Sequence, residues 1–181
     1  MVVQPRGIGE RGKRWSLGIG LMAVPLVAMG HYSAALVIIL INRLMDGLDG
    51  AIGRRGDASA FGGYLDIFCD MMFYAAILAG FAPAGPANAL PATLLLATFI
   101  CIGTSLLGRA IIAAQRGEVD DRARGQRPFF HSGGLIIGSE TIIALVVFCL
   151  LPLAFPWLTT IFAVFCLWAA AMRIWNARKE N

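Results

Sequence analysis

Charge is scarce in this chain of 181 residues: Asp, Glu, Lys and Arg make up only 14% of it, against 58% hydrophobic residues. Mean hydropathy is +0.73. Soluble globular proteins carry about 25% charged residues, so a soluble enzyme is excluded and a polytopic all-α membrane protein is expected. The net charge of +4 would suit a nucleic-acid partner, but no basic segment with interleaved aromatics exists to bind one. The four cysteines, Cys69, Cys101, Cys149 and Cys166, form no CxxC pair and have no His at ligand spacing, which argues against a zinc or redox site and for core packing. No internal repeat, low-complexity tract or linker divides residues 1–181, so one membrane domain is expected. No small-residue cleavage site is apparent either, and the first apolar run is expected to stay in the membrane.

Six apolar runs are present. They cover about Ser16 to Met29, Tyr32 to Leu44, Gly62 to Phe81, Ala92 to Ala114, Gly133 to Leu151 and Trp157 to Trp175. The first is short for a span of about 20 residues, so either the bilayer thins around it or its helix runs back through Arg14. Pro83, Gly85, Pro86 and Pro91 mark one loop, and Pro152 and Pro156 bracket another. The segments at 1–15, 54–57, 115–131 and 173–181 hold most of the charges, whereas the turns at 30–31, 80–91 and 152–156 hold no Asp, Glu, Lys or Arg. The positive-inside rule then predicts six transmembrane helices with both termini cytoplasmic, residues 1–15 forming an interfacial leader.

Against this background, Asp46, Asp49, Asp66 and Asp70 stand where a membrane protein should have no carboxylates. On helices, Asp46 and Asp49 are spaced i, i+3 and Asp66 and Asp70 i, i+4, so each pair shares one helix face. The turn between the two helices lets all four point at one pocket. Each ionisable group inside a span costs about 2.5 to 3.5 kcal/mol, and four together repel one another unless a cation is bound. Hard carboxylate oxygens suit Mg²⁺ or Mn²⁺, as one ion or two. Asn42, one turn before Asp46, either orients a carboxylate or makes an interhelical hydrogen bond. Arg109 and Glu140, charges within the fourth and fifth runs, either pair with each other or, for Arg109 with Arg116 or Arg127, hold a phosphate on a second substrate. Gly18, Gly20, Gly103 and Gly108 are expected at close helix contacts, and Trp157, Trp168 and Trp175 at the lipid face or its interface.

The string Asp46-x-x-Asp49-Gly50-x-x-Gly53-Arg54, followed after seven residues by Gly62-x-x-x-Asp66-x-x-x-Asp70, resembles the signature of the CDP-alcohol phosphatidyltransferase family. Gly53 stands where that family usually has Ala. The stretches Asn42 to Gly50 and Phe129 to Thr141 are similar to a bacterial inner-membrane subgroup of it. The resemblance implies phosphatidyl transfer from CDP-diacylglycerol to a small hydroxyl acceptor, glycerol 3-phosphate or another polyol, with release of CMP. It implies metal on Asp46, Asp49, Asp66 and Asp70, with CDP at Asp49, Gly50, Gly53, Arg54 and Gly62 and Asp70 as base. A homodimer in the bacterial inner membrane, its site open to the cytoplasm, is the family expectation. Two other classes use membrane carboxylates. An intramembrane prenyltransferase usually has two separated aspartate-rich motifs, and only one is present; a transporter or proton relay leaves the Gly50, Gly53, Arg54 and Gly62 spacing unexplained.

Overall fold

The computed structural model describes residues 8–53, 60–115 and 139–179, which form helices and turns with no strand among them. Seven α-helices follow in order: α1 (Ile8–Leu21), α2 (Ala23–Ala28), α3 (Tyr32–Gly53), α4 (Ala60–Phe81), α5 (Ala89–Gln115), α6 (Ser139–Leu150) and α7 (Phe155–Lys179). A 3₁₀ turn, Pro152–Ala154, leads into α7.

Proline and glycine set the breaks. Pro25 has no N–H and its ring conflicts with the carbonyl one turn earlier, at Leu21. The helix accordingly breaks at Met22, whose N–H turns to the Ile19 carbonyl at 3.1 Å. The first apolar run is therefore two helices in series, and it does extend back beyond Arg14 to Ile8. Gly30, at φ +79°, closes α2 with the paired bonds of a Schellman end: its own N–H to Val27 and the His31 N–H to Leu26. Pro91 and Pro156 lie inside the first turns of α5 and α7, where an N–H has no helical partner to lose. Between α4 and α5, Asn88 Nδ2 donates to the Phe81 carbonyl at 3.2 Å.

The helices bury stripes at helical spacing, Ala35, Ile39 and Asn42 on α3 and Phe73, Tyr74, Ile77, Leu78 and Phe81 on α4. The α1–α2 unit packs against both α3 and α4, and α5 packs most extensively on α7. Long side chains bridge α3 to α4. Tyr32 stacks on Phe81 at 5.7 Å, and eleven residues along each helix Arg43 meets Asp70. The two helices therefore run antiparallel, with the Arg43–Asp70 ion pair about 16 Å from the aromatic pair at 1.5 Å per residue. Around Phe81 the rings of Phe155 (4.3 Å) and Phe148 (6.2 Å) tie in α7 and α6.

The outer surface is apolar. Val37, Leu40, Ile41 and Leu44 face outward from α3, and Trp157, Trp168 and Trp175 from α7, where the sequence expects lipid-facing tryptophans. Apolar exposure on this scale requires a lipid or protein cover. Among the described residues Pro152–Arg178 is long and apolar enough to cross a membrane; Trp15–Ala28, Ile67–Phe81, Ala89–Ser105 and Glu140–Leu150 are shorter apolar helices.

Two expectations need correcting. Gly20 is a close contact, since a Cβ there would lie 2.7 Å from Phe73 and 2.8 Å from Asn42, but Gly18, Gly103 and Gly108 have nothing described within 4 Å. Gly80, at which a Cβ would meet the Val24 carbonyl oxygen at 2.9 Å, is the helix contact that the glycine pattern alone does not reveal. Cys149 and Cys166 are buried as core packing requires, whereas Cys101 is exposed.

Candidate active site

The site is built where α3 ends and α4 begins. α3 carries Asp46 and, one turn on, Asp49; α4 carries Asp66 and, one turn on, Asp70. The side chains of Asp46 and Asp70 are described, and they converge on one group. Arg43 Nη1 donates to Asp70 Oδ1 at 2.7 Å and lies 3.7 Å from Asp46 Oδ2. Its side chain is 11% exposed, against 28% and 27% for the two carboxylates, so the cation is the most buried of the three groups.

Arg43 is itself held from three directions. Its Nε and Nη2 both donate to Asn42 Oδ1, at 3.0 and 2.7 Å. Its guanidinium lies 4.5 Å above the Phe73 ring, a favourable cation–π placement, and Nη1 also donates to the Tyr74 hydroxyl at 3.3 Å. Asn42, 1% exposed, donates through Nδ2 to the Ser16 hydroxyl at 2.9 Å and to the Ser16 carbonyl. A chain of hydrogen bonds thus runs from α1 through α3 to Asp70 on α4. Of the two alternatives for Asn42, the interhelical hydrogen bond is the one observed; its link to a carboxylate runs only through Arg43.

The remaining candidates are placed as follows. Gly50 and Gly53 lie in the last turns of α3 and Gly62 in the first turn of α4. Arg109 is on α5 and Glu140 opens α6. Arg54, Arg116 and Arg127 lie outside the described residues, as do the side chains of Asp49, Asp66 and Arg109. The Arg109–Glu140 pairing falls there too.

Sequence reasoning missed Arg43. The signal was present: it is a cation in the middle of an apolar run, three residues before Asp46 and hence on the same helix face. Its presence also corrects the argument from repulsion, because part of the negative charge is already met by the chain itself. One guanidinium cannot balance four carboxylates, so the donor set still suits a hard divalent ion. Among the described residues no three His, Cys, Asp or Glu side chains gather; only two of the four motif carboxylates are within that description.

A helical protein with an apolar exterior and carboxylates converging at one end of two neighbouring helices fits the membrane-embedded enzymes that act on charged head groups. The sequence profile described as CDP-alcohol phosphatidyltransferase matches residues 14–175, and the chain belongs to that family, whose members are membrane-embedded transferases of substituted phosphate groups. The family uses a CDP-alcohol donor and an alcohol acceptor, generally with divalent metal ions. Inner membrane protein YnjF of Escherichia coli (strain K12) is 44% identical over 159 residues, which is 87% of this chain and 77% of that protein. No solved structure matches significantly.

Proposed function

We propose that this chain transfers the phosphatidyl group of CDP-diacylglycerol to a small hydroxyl acceptor, releasing CMP, within a six-span domain whose termini and active site face the cytoplasm of a bacterial inner membrane. One observation carries the reading: Asp46 from α3 and Asp70 from α4, the outer members of the family motif, meet at a single cation. The charge distribution along the sequence supports the orientation.

Asp46, Asp49, Asp66 and Asp70 would hold Mg²⁺ or Mn²⁺, as two ions in the fullest arrangement. When bound there, such a metal would supply neutralisation of the diphosphate oxygens and polarisation of the phosphorus. Gly50, Gly53 and Gly62 leave room for backbone to approach the cytidine and its phosphates, and Arg54 offers a planar fork to the diphosphate. Asp70 accepts the proton of the acceptor hydroxyl as its oxygen bonds to the lipid-side phosphorus and the bond to the CMP oxygen breaks. Arg109, Arg116 and Arg127 supply cations for a phosphorylated acceptor such as glycerol 3-phosphate. A homodimer is the expected assembly.

The test is CMP release by the purified protein in detergent with CDP-diacylglycerol and Mn²⁺ or Mg²⁺, screened over glycerol 3-phosphate, inositol, inositol phosphate, serine and glycerol. Acceptor-dependent CMP that is lost in Asp70→Asn is expected. Acceptor-dependent CMP that persists undiminished in Asp70→Asn would mean that Asp70 is not the base.

A further inference from the structure

Arg43 lies outside the family motif, yet its position is fixed by contacts other than those to the carboxylates. Two of its nitrogens are taken by Asn42, its plane lies over Phe73, and Asn42 is anchored on Ser16 of another helix. Only Nη1 reaches toward the acids, meeting Asp70 at 2.7 Å and Asp46 at 3.7 Å among the described carboxylates. A guanidinium fixed in this way cannot step aside when a second cation arrives.

The geometry points to Arg43 as a resident cation of the site: a positioning residue that holds Asp70 through Oδ1 and whose fixed charge opposes the divalent ion, keeping that ion loosely bound. The inference rests on the metal-dependent reading above. Before the ion binds, Arg43 offsets repulsion between carboxylates; afterwards it fixes one Asp70 oxygen and leaves Oδ2 outside that bond. The two effects separate on substitution. Removing the charge relieves repulsion of the ion but releases Asp70, so metal affinity rises while turnover falls. A residue that merely supports the fold would lower both together.

The electrostatic effect is the larger one. At an effective dielectric constant of about 20, a unit charge within roughly 6 Å of a divalent ion alters its affinity by about a hundredfold even after screening halves the interaction, whereas loss of the charge-assisted hydrogen bond that orients Asp70 weakens it about tenfold. Lysine in place of Arg43 keeps the charge but lacks the planar fork that Asn42 grips.

The full-length protein in nanodiscs is titrated with Mn²⁺ alone, free ion being read by electron paramagnetic resonance, and the kcat and KM of CMP release are measured on the same samples. Arg43→Gln is expected to bind Mn²⁺ about tenfold more tightly and to lose about tenfold or more in kcat. Arg43→Lys is expected to hold Mn²⁺ within about threefold of the native protein, with a smaller loss in kcat. Unchanged or weaker Mn²⁺ binding in a folded Arg43→Gln overturns the proposal. Should that variant not fold, a change of about tenfold in either direction for Arg43→Lys overturns it as well. Native binding that is lost in Asp46→Asn but unaltered in Arg43→Gln defeats the resident cation alone; no Mn²⁺ binding by the native protein defeats the metal reading and the proposal with it.

Discussion

Asn42→Ala removes the centre of the hydrogen-bond chain that joins three helices, and its cost can be worked from the contacts. Asn42 Oδ1 is the acceptor for both Arg43 Nε and Nη2, and Nδ2 serves the Ser16 hydroxyl and carbonyl. Hydrogen bonds to a charged group contribute about 1.5 to 3 kcal/mol each, and a neutral one about 1 kcal/mol. The two Arg43 bonds share one acceptor and the two Ser16 bonds one donor nitrogen, so neither pair counts in full, and we take about 3 kcal/mol for the Arg43 bonds together and about 1 kcal/mol for the Ser16 bonds together. A water entering the vacated space restores some of this, and the expected loss is about 3 kcal/mol. Reversible unfolding in mixed micelles with rising SDS, followed by helical circular dichroism, measures it. Ser16→Ala, which leaves the Ser16 carbonyl in place, should cost only about 1 kcal/mol, and the double variant should lose less than the sum of the two single ones. A loss below about 1 kcal/mol for Asn42→Ala would refute the account of a buried network fixing Arg43.

Four further changes test the packing. Gly80→Ala should destabilise by about 1 to 2 kcal/mol, because the new methyl meets the Val24 carbonyl oxygen at 2.9 Å, whereas Gly103→Ala, with nothing described within 4 Å, should gain up to about 1 kcal/mol in the same unfolding assay. Phe155→Ala should cost about 3 to 5 kcal/mol in that assay, since it empties a fully buried position stacked on Phe81 and edge-on to Phe148. Thr159→Val should stabilise by about 1 kcal/mol, because the Thr159 hydroxyl is buried with no partner among the described residues; a loss of stability there would mean that the hydroxyl is bonded.

Much of the helix order was legible because apolar runs and their punctuation record it directly. Gly30 and the prolines around 83 and 152 fall at turns, as their backbone restrictions demand. Pro25 was visible but hidden by the apolar residues around it, and only its conflict with the Leu21 carbonyl exposes the break at Met22. The spacing of the acidic motif is legible in the sequence, because i, i+3 and i, i+4 intervals put carboxylates on one helix face whatever the packing; of the four, the side chains of Asp46 and Asp70 are described, and they meet at Arg43. The helix contacts were less so: a glycine in a span reads the same whether it faces a neighbour, as Gly20 and Gly80 do, or has nothing described within 4 Å, as is true of Gly103. Arg43 illustrates the limit most plainly. Spacing places it beside Asp46, but its bond to Asp70, 27 residues away, depends on how α3 stands against α4.

Product analysis tests the central claim most directly. With CDP-diacylglycerol, Mn²⁺ and the acceptor found by screening, mass spectrometry should detect CMP together with a phosphatidyl ester of that acceptor, and neither should form with EDTA present. Phosphatidic acid accompanied by a cytidylyl ester of the acceptor would mean attack on the other phosphorus and would contradict the account; equal product with EDTA would contradict the metal's place in it.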